Sequence, residues 1–197
     1  MVKTLDFYFD FGSPAAYLAW TQLPQLCAET GARLSYKPVL LGGIFQATGN
    51  RAPISVPLKG SYLFEDLNRF ARRYKVAFKH NPFFPINTIT LMRIATGLQM
   101  CGDPRFETYV KAMFEAMWTH AANMGDPATL AGVLAAAGIH AADLVALATD
   151  PAVKEQLRAD TEAAVARGIF GAPTLFVGEK MYWGQDRLDF VREALIA

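Results

Sequence analysis

The stretch from residue 5 to residue 20 changes its hydrophobic pattern part-way along. Its first half is short, apolar and aromatic, which predicts a strand buried on both faces. Its second half begins a helical spacing, with Tyr17, Leu18 and, further on, Leu23 on one side. The pattern therefore predicts a strand that leads directly into a helix.

Gly12, Ser13 and Pro14 lie at the junction between that strand and that helix. Glycine permits a sharp turn, serine caps helices, and proline is favoured at the first helical position. The Ser13 hydroxyl is thus expected where free backbone N–H groups and the positive end of the helix dipole converge, a place that attracts anions. Taken alone, the local pattern favours the interpretation that Ser13 is an N-cap without a further role.

Hydrophobic patterns and turn residues predict three further strands. Gly31 ends the first helix, and residues 33–40 read as a second strand, so the first two strands form a parallel pair with a right-handed crossover. Near the end of the chain, Leu175–Val177 and Lys180–Trp183 read as an antiparallel hairpin. A last helix opens at residues 184–186, where Asp186 is well placed to cap it.

The middle of the chain is predicted to be a loop followed by helices. Residues 41–59 are rich in Gly and Pro without a sustained period and predict a long loop; a block of helices follows. Asn87 is predicted to cap one of these helices, and Asp-Pro pairs at 103, 126 and 150 to open three more. The element order is that of an α/β thioredoxin-like fold with a large all-helical insertion. Residues 1–40 and 168–197 would form the thioredoxin-like domain, and 41–167 the connecting loop and insertion.

Composition narrows the class of protein. The chain has 197 residues, of which 52% are hydrophobic and 19% charged, with a net charge of +1 and scattered Lys and Arg. A large core is therefore available and nucleic acid is not an expected partner. No signal peptide and no membrane span is expected, and the two cysteines, Cys27 and Cys101, form no CxxC, which indicates a reduced, cytoplasmic protein. The histidines have no metal-ligand spacing, so no metal is expected.

Five motifs in this order resemble one family. It is the 2-hydroxychromene-2-carboxylate isomerase family, related to kappa-class glutathione transferases and to thioredoxin-fold disulfide oxidoreductases. The motifs span nearly the whole chain: Phe7–Pro14; Gly49-Asn50 with Pro57 and Lys59; Phe84-Pro85 with Asn87-Thr88; Gly168–Thr174; and Trp183–Leu188. Ala15-Ala16 departs from the family pattern, in which a larger residue precedes a polar one.

The resemblance implies a glutathione-dependent isomerase of aromatic catabolism, as in naphthalene degradation. The family interconverts 2-hydroxychromene-2-carboxylate and trans-o-hydroxybenzylidenepyruvate. It implies glutathione as cofactor, a small aromatic substrate, no membrane partner and a homodimer.

The resemblance also assigns roles to individual residues. Ser13 matches the serine that holds the glutathione thiol, and Ala172, before a cis-Pro173, matches the backbone partner of the glutathionyl cysteine. The γ-glutamyl end would be bound by Trp183, Gly184, Gln185, Asp186 and Arg187. The substrate side would be formed by Asn50, Lys59 and Asn87.

Physical chemistry supports the serine assignment. The four positions of a redox CxxC read Ser13-Pro14-Ala15-Ala16, so dithiol–disulfide exchange is excluded at this turn. A free thiol has a pKa of about 8.5, and lowering this pKa by about two units requires roughly 2.7 kcal/mol of stabilisation of the thiolate. A hydrogen bond to a charged group contributes about 1.5–3 kcal/mol and a helix dipole about 0.3–1 kcal/mol. A serine at a helix N-terminus can therefore supply the stabilisation that this shift of the thiol pKa requires.

The substrate carboxylate and a developing enolate require a cation, for which Lys59 and Arg51 are the candidates. Phe83, Phe84 and Trp118 could form an apolar wall for the aromatic ring. Two alternatives stay open: a general glutathione transferase and a non-catalytic thioredoxin-fold binding module.

Overall fold

The computed structural model describes residues 2–197, which contain four strands and nine α-helices. The strands are β1 Thr4–Phe9, β2 Arg33–Pro38, β3 Thr174–Val177 and β4 Lys180–Trp183. The helices are α1 Pro14–Thr30, α2 Leu41–Thr48, α3 Pro57–Tyr74, α4 Ile89–Met100, α5 Phe106–Trp118, α6 Pro127–Ala136, α7 Ala141–Thr149, α8 Pro151–Ala166 and α9 Leu188–Ile196.

The four strands form one mixed sheet in the order β2-β1-β3-β4. β1 runs parallel to β2, with Phe7 opposite Tyr36, and antiparallel to β3, with Phe7 opposite Leu175. β3 and β4 form an antiparallel hairpin. The predicted parallel pair and the predicted hairpin are therefore both confirmed, as is the thioredoxin-like fold with helices between its two halves.

β1 differs in one respect from its prediction. Leu5, Phe7 and Phe9 are fully buried, but Asp6 and Tyr8 between them are only half-buried. The guanidinium of Arg167 donates to Asp6 at 2.8 Å and to the Tyr8 hydroxyl at 3.0 Å. On this second face the Tyr8 ring packs against a smaller core cluster that includes Val39, Ile44 and Phe176, and the polar contacts with Arg167 explain why the face is only half-buried.

The predicted long loop over residues 41–59 is wrong. Residues Leu41–Thr48 form α2, a 3₁₀ turn covers Pro53–Ser55, and α3 already begins at Pro57. α2 packs against α8, and a side chain at Gly43 would come within 3.3 Å of the Thr161 methyl carbon. A tertiary contact that needs small residues thus keeps a glycine-rich segment helical.

Two of the three Asp-Pro predictions are confirmed. The Asp126 carboxylate accepts the Thr129 N–H and the Asp150 carboxylate accepts the Ala152 N–H at the starts of α6 and α8. Asp103 does not cap α5, because the N-cap of that helix is Arg105. The Asp103 carboxylate instead accepts hydrogen bonds from the backbone N–H and the guanidinium of Arg105. None of the described helices combines the length and the apolar composition needed to cross a membrane.

Candidate functional site

Ser13 lies between β1 and α1, as predicted. It is the N-cap of α1, with extended backbone angles, and its side-chain oxygen accepts the Ala16 N–H at 3.1 Å. Pro14 occupies the first helical position. The hydroxyl is therefore beside the free N–H groups and the positive dipole end of a 17-residue helix.

The same hydroxyl reaches the loop before β3. Ser13 Oγ donates to the carbonyl oxygen of Ala172 at 2.9 Å, across 159 residues of sequence. The Ala172–Pro173 peptide is cis, as expected from the sequence. The structure thus brings together the two places to which the glutathionyl cysteine was assigned.

The segment 183–187 follows β4 and lies beside this loop. The Gly184 N–H donates to the Pro173 carbonyl at 3.0 Å, and Gly184 has a φ of 102°, which favours glycine. The Trp183 indole is so close to Gly171 that a side chain there would come within 2.8 Å of the indole nitrogen. Trp183 is half exposed, whereas Gln185 is buried.

The Asp186 carboxylate pairs with the Arg187 guanidinium at 2.5 Å, and neither side chain caps a helix by a hydrogen bond. The capping prediction for Asp186 is therefore wrong, because a 3₁₀ turn over Gln185–Arg187 comes before α9.

A cavity of about 170 Å³ beside Asp186 is bounded by α1, α3 and the start of α9. We call it the α1–α3–α9 cavity. Its lining contains two carboxylates and two guanidinium groups: Asp186, Asp189, Arg73 and Arg192.

The substrate-side residues are placed in different ways. The Asn50 amide donates to the Phe170 carbonyl at 2.8 Å, so this side chain does join the loop before β3. Lys59 is exposed in the first turn of α3, and the structure does not bring it to Ser13. Asn87 is exposed and lies one residue before Thr88, the N-cap of α4. Its Oδ1 accepts the N–H of Ile89, the first residue of α4, at 3.0 Å, so Asn87 caps this helix from one position further out than predicted.

The aromatic wall is only partly formed by the predicted residues. Trp118 is fully buried, and its indole N–H donates to the Phe11 carbonyl at 2.8 Å, so it belongs to the core. Phe84 packs edge-on against Trp118 at 5.5 Å and lines an open cavity of about 440 Å³, here called the Phe84 cavity. Phe83, which directly precedes Phe84 in the sequence, is half exposed. The other side chains of the cavity include Ile54, Pro57, Ser61, Phe64 and His80.

Sequence reasoning missed the role of Asp10. Its carboxylate is buried at the end of β1 and accepts from Gly12 N–H, Leu41 N–H and the Thr88 hydroxyl. Burial raises the pKa of this carboxyl above its ordinary value, while the three hydrogen bonds act in the opposite direction. The available signal was a charged residue at the end of an otherwise apolar strand, directly before the turn that carries Ser13.

Thiols are absent from this turn. Cys27 is buried in α1, where burial raises the pKa of its thiol. Cys101 is exposed at the end of α4. Across residues 2–197, no three His, Cys, Asp or Glu side chains are grouped so as to hold a metal ion.

Comparison with known proteins agrees with this geometry. Residues 4–196 match the DSBA-like thioredoxin domain. A 2-hydroxychromene-2-carboxylate isomerase of Sphingobium xenophagum is 34% identical over 198 residues, covering 100% of both chains. The chain belongs to the 2-hydroxychromene-2-carboxylate isomerase family.

Two further similarities extend the comparison. The solved structure of a 2-hydroxychromene-2-carboxylate isomerase superposes on this chain with a TM-score of 0.83, at 31% identity, covering 98% of this chain and 94% of that one. The kappa 1 glutathione S-transferase of Rattus norvegicus is 27% identical, over 96% of this chain and 89% of its own.

Proposed function

We propose that this protein is a glutathione-dependent isomerase that interconverts 2-hydroxychromene-2-carboxylate and trans-o-hydroxybenzylidenepyruvate in aromatic catabolism. One observation carries the proposal: the Ser13 hydroxyl lies at the N-terminus of α1 and is bonded to the Ala172 carbonyl, where a redox relative would have a thiol. The full-length similarity to a named isomerase supports the reaction, and the kappa-class relative supports glutathione as the cofactor.

In this proposal Ser13 stabilises a thiolate that glutathione supplies. The hydroxyl has one proton, so it turns from the Ala172 oxygen towards the sulfur when glutathione binds. The backbone of Ala172, before Pro173, then faces the cysteinyl part of the tripeptide. The helix dipole of α1 adds to the stabilisation of the negative charge.

The γ-glutamyl end carries both an ammonium and a carboxylate. We assign it to the segment of Trp183, Gly184, Gln185, Asp186 and Arg187 and to the α1–α3–α9 cavity. The carboxylates of Asp186 and Asp189 suit an ammonium group, and the guanidinium group of Arg73 suits a carboxylate, whereas Arg192 is already paired with Glu29.

The reaction is a reversible nucleophilic addition. The ring of the chromene opens first: the bond between C2 and the ring oxygen breaks, the proton of the 2-hydroxyl passes to the phenolic oxygen, and a carbonyl conjugated to the double bond forms. The thiolate then forms a bond to the conjugated carbon, and the electron pair of the double bond moves to the carbonyl oxygen as an enolate. Rotation about the new single bond follows, the enolate reforms the double bond, and the thiolate leaves unchanged. Nothing is oxidised or reduced, so no cysteine of the protein is needed.

The Phe84 cavity is suited to the aromatic ring, because about 440 Å³ of largely apolar space is within the range of small-molecule sites. Lys59 directly precedes Gly60, which lines this cavity, and Lys59 itself lines a neighbouring cavity with Leu58 and Tyr62. Its ammonium would bind the substrate carboxylate, and Arg51 is the second candidate. Asn50 and Asn87 would complete the substrate side.

We further propose that the protein is cytoplasmic and forms a homodimer. Leu58 and Tyr62 support a dimer, because both are apolar side chains exposed on the first turns of α3.

The proposal is tested by following isomerisation of 2-hydroxychromene-2-carboxylate with glutathione, with S-methylglutathione and without addition. Only glutathione should support turnover, and it should be recovered unconsumed. Replacing Cys27 and Cys101 with alanine should leave the activity in place. Activity without added glutathione, lost in the cysteine variant, would contradict the mechanism.

The two alternatives have their own outcomes in the same experiment. Accumulation of a stable glutathione conjugate would identify a general transferase. A protein with no measurable affinity for glutathione would be a binding module of the same fold.

A further inference from the structure

The Asp10 carboxylate is the meeting point of three segments of the chain. It is 2% exposed, at the end of β1. Oδ1 accepts the Gly12 N–H at 2.9 Å and the Thr88 hydroxyl at 2.7 Å, and Oδ2 accepts the Leu41 N–H at 2.8 Å. Its own backbone carbonyl also accepts the Ser13 N–H at 3.0 Å.

Each donor belongs to a segment that carries a candidate site residue. Gly12 directly precedes Ser13. Leu41 is the first residue of α2, and Asn50 follows the end of that helix. Thr88 directly follows Asn87. One carboxylate therefore fixes the relative positions of three predicted site residues. They are Ser13, which would donate a hydrogen bond to the thiolate, and Asn50 and Asn87 on the substrate side.

The N-cap residues of both helices that Asp10 contacts make no side-chain capping bond, and at α4 the first N–H is bound by Asn87 instead. Thr88 is the N-cap of α4, but its hydroxyl makes no capping bond and donates to Asp10 instead. Leu40, the N-cap of α2, has no side chain that can cap, and the first N–H of α2 goes to Asp10. A local N-cap is worth about 1 kcal/mol, and Thr88 makes a contact with a distant strand in place of that bond.

Gly12 is what allows this close approach. A side chain at this position would come within 3.3 Å of the Thr88 methyl carbon and 3.4 Å of Asp10 Oδ1. The turn before Ser13 therefore has little room for any other residue than glycine while Asp10 and Thr88 stay in contact.

The stability of the fold alone does not account for the buried carboxylate of Asp10. Burying a carboxylate is unfavourable, and well-packed apolar residues often stabilise a core as well or better. We propose that Asp10 is a positioning residue, which holds Ser13 and the segments of Asn50 and Asn87 in the arrangement that binds glutathione and substrate. The catalytic part of this proposal rests on the proposed function, whereas the coupling of the three segments does not.

Asp10→Asn tests the role with little change in shape. The asparagine oxygen can still accept from Gly12 and Thr88, but its amide group meets the Leu41 N–H donor to donor. Leu41→Pro removes the same bond from the other side, at a first helical position that proline favours and after an extended Leu40. Both variants should raise the Kd for glutathione and the substrate KM about tenfold, as expected for a lost bond to a charged group.

Thr161→Val is the matched control. The Thr161 hydroxyl is also buried and accepts the Leu40 N–H at 3.0 Å, so it anchors the same end of α2 without contact to Asp10. This variant should lower the melting temperature while leaving the Kd for glutathione within twofold of wild type. If Asp10→Asn behaves in the same way, Asp10 is only structural and the proposal is wrong.

A measurement without ligand tests the coupling independently of the function. In amide NMR spectra, Asp10→Asn should shift the signals of Ser13, Asn50 and Ile89 together, and Thr88→Val should shift mainly that of Ile89. Signals of α7, which carries none of the site residues, serve as the reference. Shifts confined to Gly12 and Ser13 in Asp10→Asn would overturn the positioning role. A wild-type protein that binds no glutathione would instead overturn the proposed function, with the amide shifts still deciding whether Asp10 couples the segments.

Discussion

Ser13 has a single hydroxyl proton, and in this structure that proton is donated to the Ala172 carbonyl. The hydroxyl oxygen simultaneously accepts the Ala16 N–H, so the side chain is held by one bond in each direction. A bound thiolate competes only for the proton and leaves the capping bond in place. Capping and thiolate stabilisation are therefore compatible roles of one residue.

Replacing Ser13 separates those roles. Ser13→Ala should raise the thiol pKa of bound glutathione by about one to two units, since a bond to a charged group is lost. The rate near neutral pH should fall and recover as the pH rises, because the dipole of α1 remains. Thiolate ultraviolet absorbance against pH measures the pKa, with Ser13→Thr as the hydroxyl-bearing control. An unchanged pKa in the alanine variant would leave Ser13 as a helix cap only.

Asp10 gives a second prediction at this scale, on the pH dependence of stability. Because the folded-state pKa is raised above about 3.8, its contribution to stability is complete below that pH. The contribution is lost as the pH rises through the folded-state pKa. The free energy of unfolding of wild type, relative to Asp10→Asn, should therefore decrease over that interval.

Chemical denaturation at a series of pH values measures this difference. Asp103 and Asp126 have lowered pKa values, held down by Arg105 and Thr129, and contribute in the opposite direction. Both proteins contain them, so their effect cancels in the difference. A difference that increases with pH would show that the Asp10 pKa is lowered instead.

At the scale of elements, the connection between α3 and the β4–α9 segment is the least expected from local pattern. The Tyr74 hydroxyl, in the last turn of α3, donates to the Gln185 carbonyl at 2.6 Å. Burial, reinforced by the charges of Asp186 and Asp189, raises the pKa of Tyr74 to about 12. The bond ties the helical insertion to the segment assigned to the γ-glutamyl end.

Tyr74→Phe removes that bond and little else. It should lower the free energy of unfolding by about 1 kcal/mol and weaken glutathione binding severalfold, because the Gln185 carbonyl loses its donor. Tyr62→Phe, at an exposed tyrosine on the same helix, is the control; it keeps the aromatic ring proposed for self-association and should change neither quantity. Denaturant melts and calorimetric titration provide the two values. Unchanged affinity in Tyr74→Phe would show that α3 does not support the glutathione segment.

At the scale of the whole molecule, the exposed start of α3 is the proposed site of self-association. Leu58 is 84% exposed, yet it is a large apolar residue next to Tyr62. Leu58→Lys should therefore convert a dimer into the 21.6 kDa monomer, since a charge in an apolar contact is unfavourable.

Light scattering after size-exclusion chromatography measures the mass. Val145→Lys, at an exposed apolar residue of α7, is the control and should remain a dimer. A wild-type protein of monomer mass would rule out the dimer itself. A Leu58→Lys protein that stays dimeric would place the contact elsewhere.

The domain boundaries also belong to this scale. The predicted boundaries between the thioredoxin-like part and the helical insertion, at residues 40 and 168, stay a prediction. The hydrophobic core is continuous across them. One buried cluster joins Leu5 and Phe7 of the sheet with Tyr109 and Phe114 of α5. The insertion is therefore packed into the thioredoxin-like part through shared aromatic contacts.

The sequence by itself determined the elements whose signals are local. The strand–Ser13–helix junction, the β3–β4 hairpin and the caps at Asp126 and Asp150 depend on neighbours a few residues away, so periodicity and capping chemistry are enough to predict them. The assignment of Ala172 opposite Ser13 came from family resemblance and not from any local pattern.

Tertiary structure alone decided the rest. α2 is a helix that packs on α8 through Gly43, and the hydroxyl of Thr88, the N-cap of α4, donates to Asp10 while Asn87 binds the first N–H of that helix. The partners of Asp10 and of Tyr74 are 31 to 111 residues away in sequence, apart from Gly12. Such contacts depend on which surfaces pack together in the folded chain, and a buried polar group takes whichever partner that packing brings within hydrogen-bonding distance.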